Sequence, residues 1–412
     1  MSFLVRQRCL FVSRPFCGIL RLPRCASFCS SPKWGEGVVT PSFVMTDEKM
    51  KRRPFRKVEM RAVQSEAELL EETPIGVKDE ETLVRMWQGF GRTEEVPVLV
   101  KKLMENTKAL EAELGEELKF GGPRGSLKGE AGKTEDRRHR AFYHTLSDSE
   151  SKLQFFAARQ VACRILGSHG YLCEHCWLPT QDCMCEALVK GSLWQNMRLW
   201  VYMHPKDFLR KNNTGKLLWQ ALGDQVQLCV CGIPLHEDAM WAALQQAGRD
   251  HVWCVYPAKN EHEITVSKLS APQGYNEEAR ETTEDCQLQP LNFIMIDGTW
   301  SNSKAMVSRL QERASAVWEG RGMPCLALSP DEFSSIHGLR PQPSMEKTCT
   351  AAAAGQLLRE LNQTSAFAGH DLDLTADTID EAVDCLSEAL VGRRRRVGRP
   401  VTRSRRRDYQ SN

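Results

Sequence analysis

The 412-residue sequence lacks any run of about 18 apolar residues, the length a membrane-spanning helix needs, so no spanning helix and no membrane partner are expected. It also lacks a net charge of consequence. Lys and Arg number 55 against 53 Asp and Glu, a formal balance of +2, so global charge names no partner and local patches must. Acidic residues are absent from the first 35 positions; the first is Glu36. No secretory leader with an apolar centre is recognisable, and a chain this long, with 26% charged residues, does not suit a small disulfide-held scaffold. The 16 cysteines are therefore expected in a reducing compartment. No internal repeat is visible.

What is present is uneven. Residues 1–35 hold five arginines and five serines, interleaved with Phe3, Leu4, Phe11 and Leu20. That is the composition of an organellar transit peptide, and it points to a mitochondrion or plastid. A basic tail, with a cytoplasmic or nuclear protein, is the alternative. Residues 36–150 read as a polar, partly disordered extension. One helix is expected there from Val96 to about Leu118, with Val100, Leu103, Leu110 and Leu114 at helical spacing, and a flexible linker over Gly121–Arg137. Residues 151–195 are expected to form a cysteine-containing element and 196–391 a separate α/β domain. Residues 392–412 form an arginine-rich tail, with nine arginines in Arg393–Arg407, suited to non-specific RNA affinity.

Within 196–391, apolar runs alternate with helical stretches. Strands are expected at Met197–Met203, Val226–Val230, Val252–Tyr256, Phe293–Ile296 and Cys325–Leu328. Helices are expected at Lys206–Leu222, Glu237–Ala247, from near Ser301, at Thr350–Leu361 and at Ile379–Leu390. This alternation predicts an α/β fold with a parallel sheet. The polar segment Lys259–Pro290 reads as a surface insertion.

Cys173, Cys176, Cys183 and Cys185 offer four thiols within thirteen residues. Two close pairs let two turns face one ion, and Pro179 and Asp182 favour a turn between them. Four thiolates leave no open position, so the site is read as structural zinc, with an iron–sulfur cluster as the alternative and His175 as a spare ligand.

Three further segments carry polar groups where a parallel sheet binds ligands. The first runs from His204 to Lys216. Asn213, Thr214 and Gly215 are candidate ligand donors, and Lys206, Arg210, Lys211 and Lys216 candidate phosphate contacts; alone, the segment reads more readily as an ordinary solvated helix start. In the second, Ile296-Asp297-Gly298-Thr299-Trp300, a buried strand delivers an acid to its end, Gly298 permits a turn, and Ser301 caps the next helix. Asp297 here is a base, an orienting group or merely a cap. Trp300 stacks on a ring or belongs to the core. The third is Leu339-Arg340-Pro341-Gln342-Pro343, a stiff loop, followed by Cys349-Thr350-Ala351 opening a helix.

In order, these four motifs resemble the DTW-domain family over roughly Gly170 to Leu361. His337 and Ala352 depart from the family pattern, where many members have an aromatic and an acid. The resemblance implies a SPOUT-like parallel α/β fold with a C-terminal knot. It implies transfer of the 3-amino-3-carboxypropyl group from S-adenosylmethionine to N3 of a uridine in tRNA. Asp297, Thr299 and Trp300 are then the catalytic candidates. Asn213, Thr214, Gly215, Gly298, Leu339, Arg340, Gln342 and Thr350 are the candidate contacts to the co-substrate. An RNA methyltransferase of the same fold and a non-catalytic zinc-containing RNA-binding module are the competing readings. The oligomeric state is not legible.

Overall fold

The computed structural model describes residues 77–92, 94–115, 129–168, 170–257, 263–269, 289–329, 336, 339 and 348–401. The expected targeting segment 1–35 lies outside them, as do Arg340, Gln342 and His337.

Six strands form one sheet: β1 Met197–Met203, β2 Val226–Val230, β3 Val252–Val255, β4 Glu263–Thr265, β5 Leu291–Asp297 and β6 Cys325–Ala327. Their order is β2-β1-β5-β3-β6-β4, and every pairing is parallel, as the alternation of strand and helix predicts. Parallel strands need both faces covered, which is why these segments read as nearly continuous apolar runs.

Side chains alternate between the two faces. Met197, Leu199, Val201 and Met203 of β1 join one core, while Trp200 and Tyr202 join the other. The first core is closed by α5 (Gly215–Leu222), α8 (Thr350–Asn362) and α9 (Leu372–Arg396). The second is closed by α6 (Pro234–Ala247) and α7 (Trp300–Val317) through Met240, Trp241, Leu244, Met306 and Leu310. Each such fully buried Leu or Met contributes about 2 kcal/mol.

The region before the sheet is more ordered than its composition suggests. It contains α1 (Val77–Gly89), α2 (Val98–Leu114), α3 (Gly129–Thr145) and α4 (Ser149–Ser168), where one helix was expected ahead of Ser149. Trp87 and Met104 are fully buried in the first core. Part of the expected linker, Gly129–Arg137, is helical because Phe142 packs on Phe155 of α4, with ring centroids 4.7 Å apart, and Arg159 pairs with Asp136. Two other expectations are corrected. The helix expected from Lys206 begins only at Gly215, since Pro205 and Leu209 (φ 53°) turn the chain through successive four-residue turns first. The expected insertion after Lys259 supplies β4, an edge strand on β6, and buries Val266. No helix among the described residues is long and apolar enough to cross a membrane.

Candidate active site and metal centre

The sheet order creates one site by itself. β1 and β5 lie side by side, with Met203 opposite Asp297, yet β1 runs on to α5 on one face and β5 to α7 on the other. Diverging connections leave a crevice beyond the carboxyl ends of the two strands, the place where open parallel sheets bind ligands.

Period-two alternation continues the series Leu291, Phe293 and Met295 to Asp297, on the face covered by α5 and α8. A carboxylate in a core position must be hydrogen-bonded. Asp297 Oδ2 accepts from Asn213 Nδ2, and Oδ1 accepts from Thr350 Oγ1 at 2.7 Å. Asn213 Oδ1 in turn accepts the backbone N–H of Lys216 at 2.8 Å, which fixes the amide so that its nitrogen faces Asp297. The strand end, the turn before α5 and the first residue of α8 thus meet at one carboxylate. Gly215 makes this possible. A Cβ there would lie 2.8 Å from Asp297 Cγ and 2.9 Å from Val201 Cγ1, so no larger residue fits without displacement.

Around this junction stand the other candidates. His204 closes β1; its backbone N–H donates to Asp297 O at 2.8 Å, its Nδ1 accepts from Lys206 N at 3.2 Å, and burial lowers its pKa. Thr214 is buried at the start of α5. Thr299, not Ser301, holds the N-cap position of α7, and no side chain caps this helix; the Thr299 carbonyl accepts the N–H groups of Asn302 and Ser303. A Cβ on Gly298 would lie 3.3 Å from Met306 Sδ and 3.4 Å from His204 Cβ, so a larger residue there would crowd both. Trp300 pairs with Tyr256 at the end of β3, centroids 6.1 Å apart, so an aromatic pair borders the crevice. Leu339 is buried, and its carbonyl accepts from Arg394 Nη2 at 3.3 Å.

The four expected phosphate contacts separate. Lys211 is half-buried at the rim. Arg210 pairs with Asp207 at 2.5 Å, and Lys206 lies 5.1 Å from the Phe156 ring centroid. Lys216 must be withdrawn from this set. It is fully buried and donates to the carbonyls of Cys176 and Lys211, so it cannot reach an external phosphate. Burial pushes its ammonium down to about 7, against the pull of the cysteine cluster.

That cluster is assembled as the spacing predicts. The Sγ atoms of Cys173, Cys176, Cys183 and Cys185 all lie within 4.8 Å of one another, with 3.5 Å between Cys173 and Cys183, 3.6 Å between Cys173 and Cys185, and 3.7 Å between Cys176 and Cys183. These separations exceed a disulfide bond and approach the ~3.8 Å edge of a tetrahedron with zinc–sulfur bonds of about 2.3 Å. The first knuckle is a tight turn in which Cys173 N donates to Leu178 O and Trp177 N to Cys173 O, with Trp177 at φ 58°. Four convergent thiols therefore fit a metal ion. The hairpin is tied to the sheet domain by Lys216 on Cys176 O and Gln220 on His175 O, and Arg393 and Arg396 meet at Asp182. The arginine-rich segment is thus no free tail at its start, because α9 continues to Arg396.

One buttress had no local signal. Arg309 of α7 binds Glu237 (2.6 Å) and Glu150, and Glu237 also accepts from the Tyr202 hydroxyl at 2.6 Å. This network joins α4, α6, α7 and β1 beside the crevice. Glu237, then Glu150, hold the Arg309 pKa above its ordinary value. A cleft of about 560 Å³ between the cysteine hairpin and α5, lined by His175, Lys190, Trp219 and Gln220, does not include Asp297.

No solved structure matches the chain. The DTW domain matches residues 170–390, which span the cysteine hairpin, the whole sheet and most of α9. With more than half of its length in that match, and the motifs joined at Asp297, the chain belongs to the DTW-domain family of tRNA-modifying enzymes.

Proposed function

We propose that the protein transfers the 3-amino-3-carboxypropyl group of S-adenosylmethionine to N3 of a uridine in tRNA, releasing methylthioadenosine. The observation that supports this reading is the Asp297–Asn213–Thr350 junction, built from three family motifs at the ends of β1 and β5. Gly215 lets the start of α5 pack directly against the Asp297 carboxylate, which fixes the polar groups of the junction, and S-adenosylmethionine is the co-substrate that fits the reaction. The finer fold reading, a SPOUT-like sheet with a C-terminal knot, rests on the same family membership.

In the proposed step, uridine N3 loses its proton and attacks the methylene carbon attached to the sulfonium. The carbon–sulfur bond breaks, and sulfur keeps the electron pair as a neutral thioether. Three carbons on that sulfur are electrophilic, so the outcome depends on which is held in line with N3. Asn213, Thr214, Gly215, Gly298, Leu339 and Thr350, with Arg340 and Gln342, are the residues assigned to holding the co-substrate. Asp297 orients or deprotonates the uracil edge or binds the co-substrate's amino group, and Asn213 and Thr350 hold its carboxylate in place. Trp300 and Tyr256 offer rings on which an exposed base stacks. The cysteine cluster would hold zinc as a structural ion and take no part in the chemistry. An organellar address is proposed for residues 1–35.

The test is incubation of the purified protein with tRNA and S-adenosylmethionine. Methylthioadenosine together with an aminocarboxypropyl-uridine in digested tRNA is the expected result. S-adenosylhomocysteine with a methylated base would identify a methyltransferase, and no turnover of the co-substrate would leave an RNA-binding module.

A further inference from the structure

The seam between the cysteine hairpin, the loop after β1 and the end of α9 gathers cations around one phenol. Tyr171 is 42% exposed and its backbone is pinned on both sides, its N–H on Ser168 O and its carbonyl under Thr180 N. Its hydroxyl oxygen accepts from Lys211 Nζ at 2.8 Å and from Arg393 Nη2 at 3.1 Å, and the Lys211 ammonium lies 4.5 Å from the ring centroid. Two cations on one neutral oxygen stand no more than about 6 Å apart and repel each other. Asp182 offsets the charge only in part, because its single carboxylate serves both Arg393 and Arg396. Arg395 and Arg399 on the last turn and just beyond it are exposed. Four arginines closing α9 complement the helix dipole and leave a concentration of positive charge at this end of the helix.

The seam also borders the active site. Lys211 precedes Asn213 by two residues, at most about 7 Å of backbone, and Asn213 holds the Asp297 carboxylate. We propose that Lys211 and Arg393, pre-positioned by Tyr171, form a phosphate-binding site for the RNA backbone next to the reacting uridine. The site rests on the tRNA-modification reading and gives that reading a docking point. A phosphate oxygen is an anionic acceptor where the phenol is a neutral one, so the bonds from both cations become ion-paired and the negative charge offsets their repulsion.

The experiment measures binding of a labelled single-stranded RNA and of tRNA to the full chain across a salt series. Lys211→Gln and Arg393→Gln are compared with Arg198→Gln, an exposed arginine at the amino end of β1, whereas Lys211 lies in the loop beyond the carboxyl end of that strand. Each of the first two should raise the dissociation constant about tenfold, the scale of one charged hydrogen bond, and lower the salt slope by about 0.7, while Arg198→Gln does neither. Because both cations grip one phosphate, the double variant should fall well short of the hundredfold that independent losses would give. Lys211→Gln leaves the Asp182 pairs intact, so it keeps the test valid if Arg393→Gln loosens α9, and melting curves identify that case. Wild-type affinity and slope in Lys211→Gln, or full additivity in the double variant, would overturn the site. Wild-type protein that binds RNA in this manner but modifies no uridine would sink the enzymatic reading and leave the site standing; no RNA binding at all would remove both.

Discussion

Replacing Asp297 by Asn separates chemistry from architecture. The side chain keeps its shape, and the amide oxygen can still accept from Asn213 Nδ2. The amide nitrogen must then face Thr350 Oγ1, which turns from donor to acceptor. Both contacts survive, but each changes from a charge-assisted bond, worth about 1.5–3 kcal/mol, to a neutral one of about 1 kcal/mol. The expected cost is about 1–4 kcal/mol of stability, a fall of several degrees in melting temperature at roughly 2–4 °C per kcal/mol. If the carboxylate deprotonates or orients N3, single-turnover transfer should fall about 100-fold or more, with co-substrate affinity nearly unchanged. If it binds the co-substrate's amino group instead, titration should show a raised dissociation constant. A role as helix cap is already disfavoured by the geometry, since Thr299 holds the cap position and Asp297 points to α5 and α8. Calorimetric titration, single-turnover assay and melting on one preparation, at a temperature where the variant is folded, decide between these roles. Transfer within threefold of wild type, with unchanged co-substrate affinity, would refute the reasoning and remove Asp297 from the site.

Three further outcomes are expected. The purified protein should carry one zinc per chain, and Cys173→Ser with Cys176→Ser should lower stability as well as activity, because the hairpin anchors Lys216 and Asp182; metal analysis and melting in chelator check this, and a metal-free protein of full stability would contradict it. Stability should fall as pH drops below about 6.5, at up to about 1.4 kcal/mol per pH unit for each of two buried histidines. Burial, then Arg92, hold the His236 pKa well below its ordinary value, and burial, then Arg159, push His139 down to about 3; both must be neutral in the folded state, while an unfolded histidine takes up a proton near 6.5. Glu135 opposes this loss in part, since burial raises its pKa. His236→Asn should flatten the dependence in denaturant titrations between pH 7.5 and 5.5, and an unaltered slope would dismiss its part. Finally, residues 1–35 fused to a fluorescent reporter should direct it to an organelle, whereas diffuse cytosolic signal would count against targeting.

Much of this protein was already determined in the sequence by itself, wherever the information is local. β1, β2 and β5 are legible because strands covered on both faces must be apolar throughout, and their ends fall close to where the apolar runs stop. The cysteine hairpin is legible because four ligands within thirteen residues close a site through two short turns, whatever the rest of the chain does. Asp297 stands out as an acid at the end of a buried strand. Which distant groups meet is set by the way the chain packs. Asn213 and Thr350 reach Asp297 across 84 and 53 residues, and Arg309 reaches Glu150 across 159, separations at which no periodicity operates and sheet order alone sets the contact. The same cause explains the errors. Lys216 has the composition of a surface residue, but the cysteine hairpin folds over it and offers its ammonium a carbonyl in place of water. Residues 263–265 read as insertion because three residues carry no strand signal until β6 supplies the hydrogen-bonding edge. The arginines of α9 read as a tail because their partners, Asp182 and Tyr171, lie more than two hundred residues earlier.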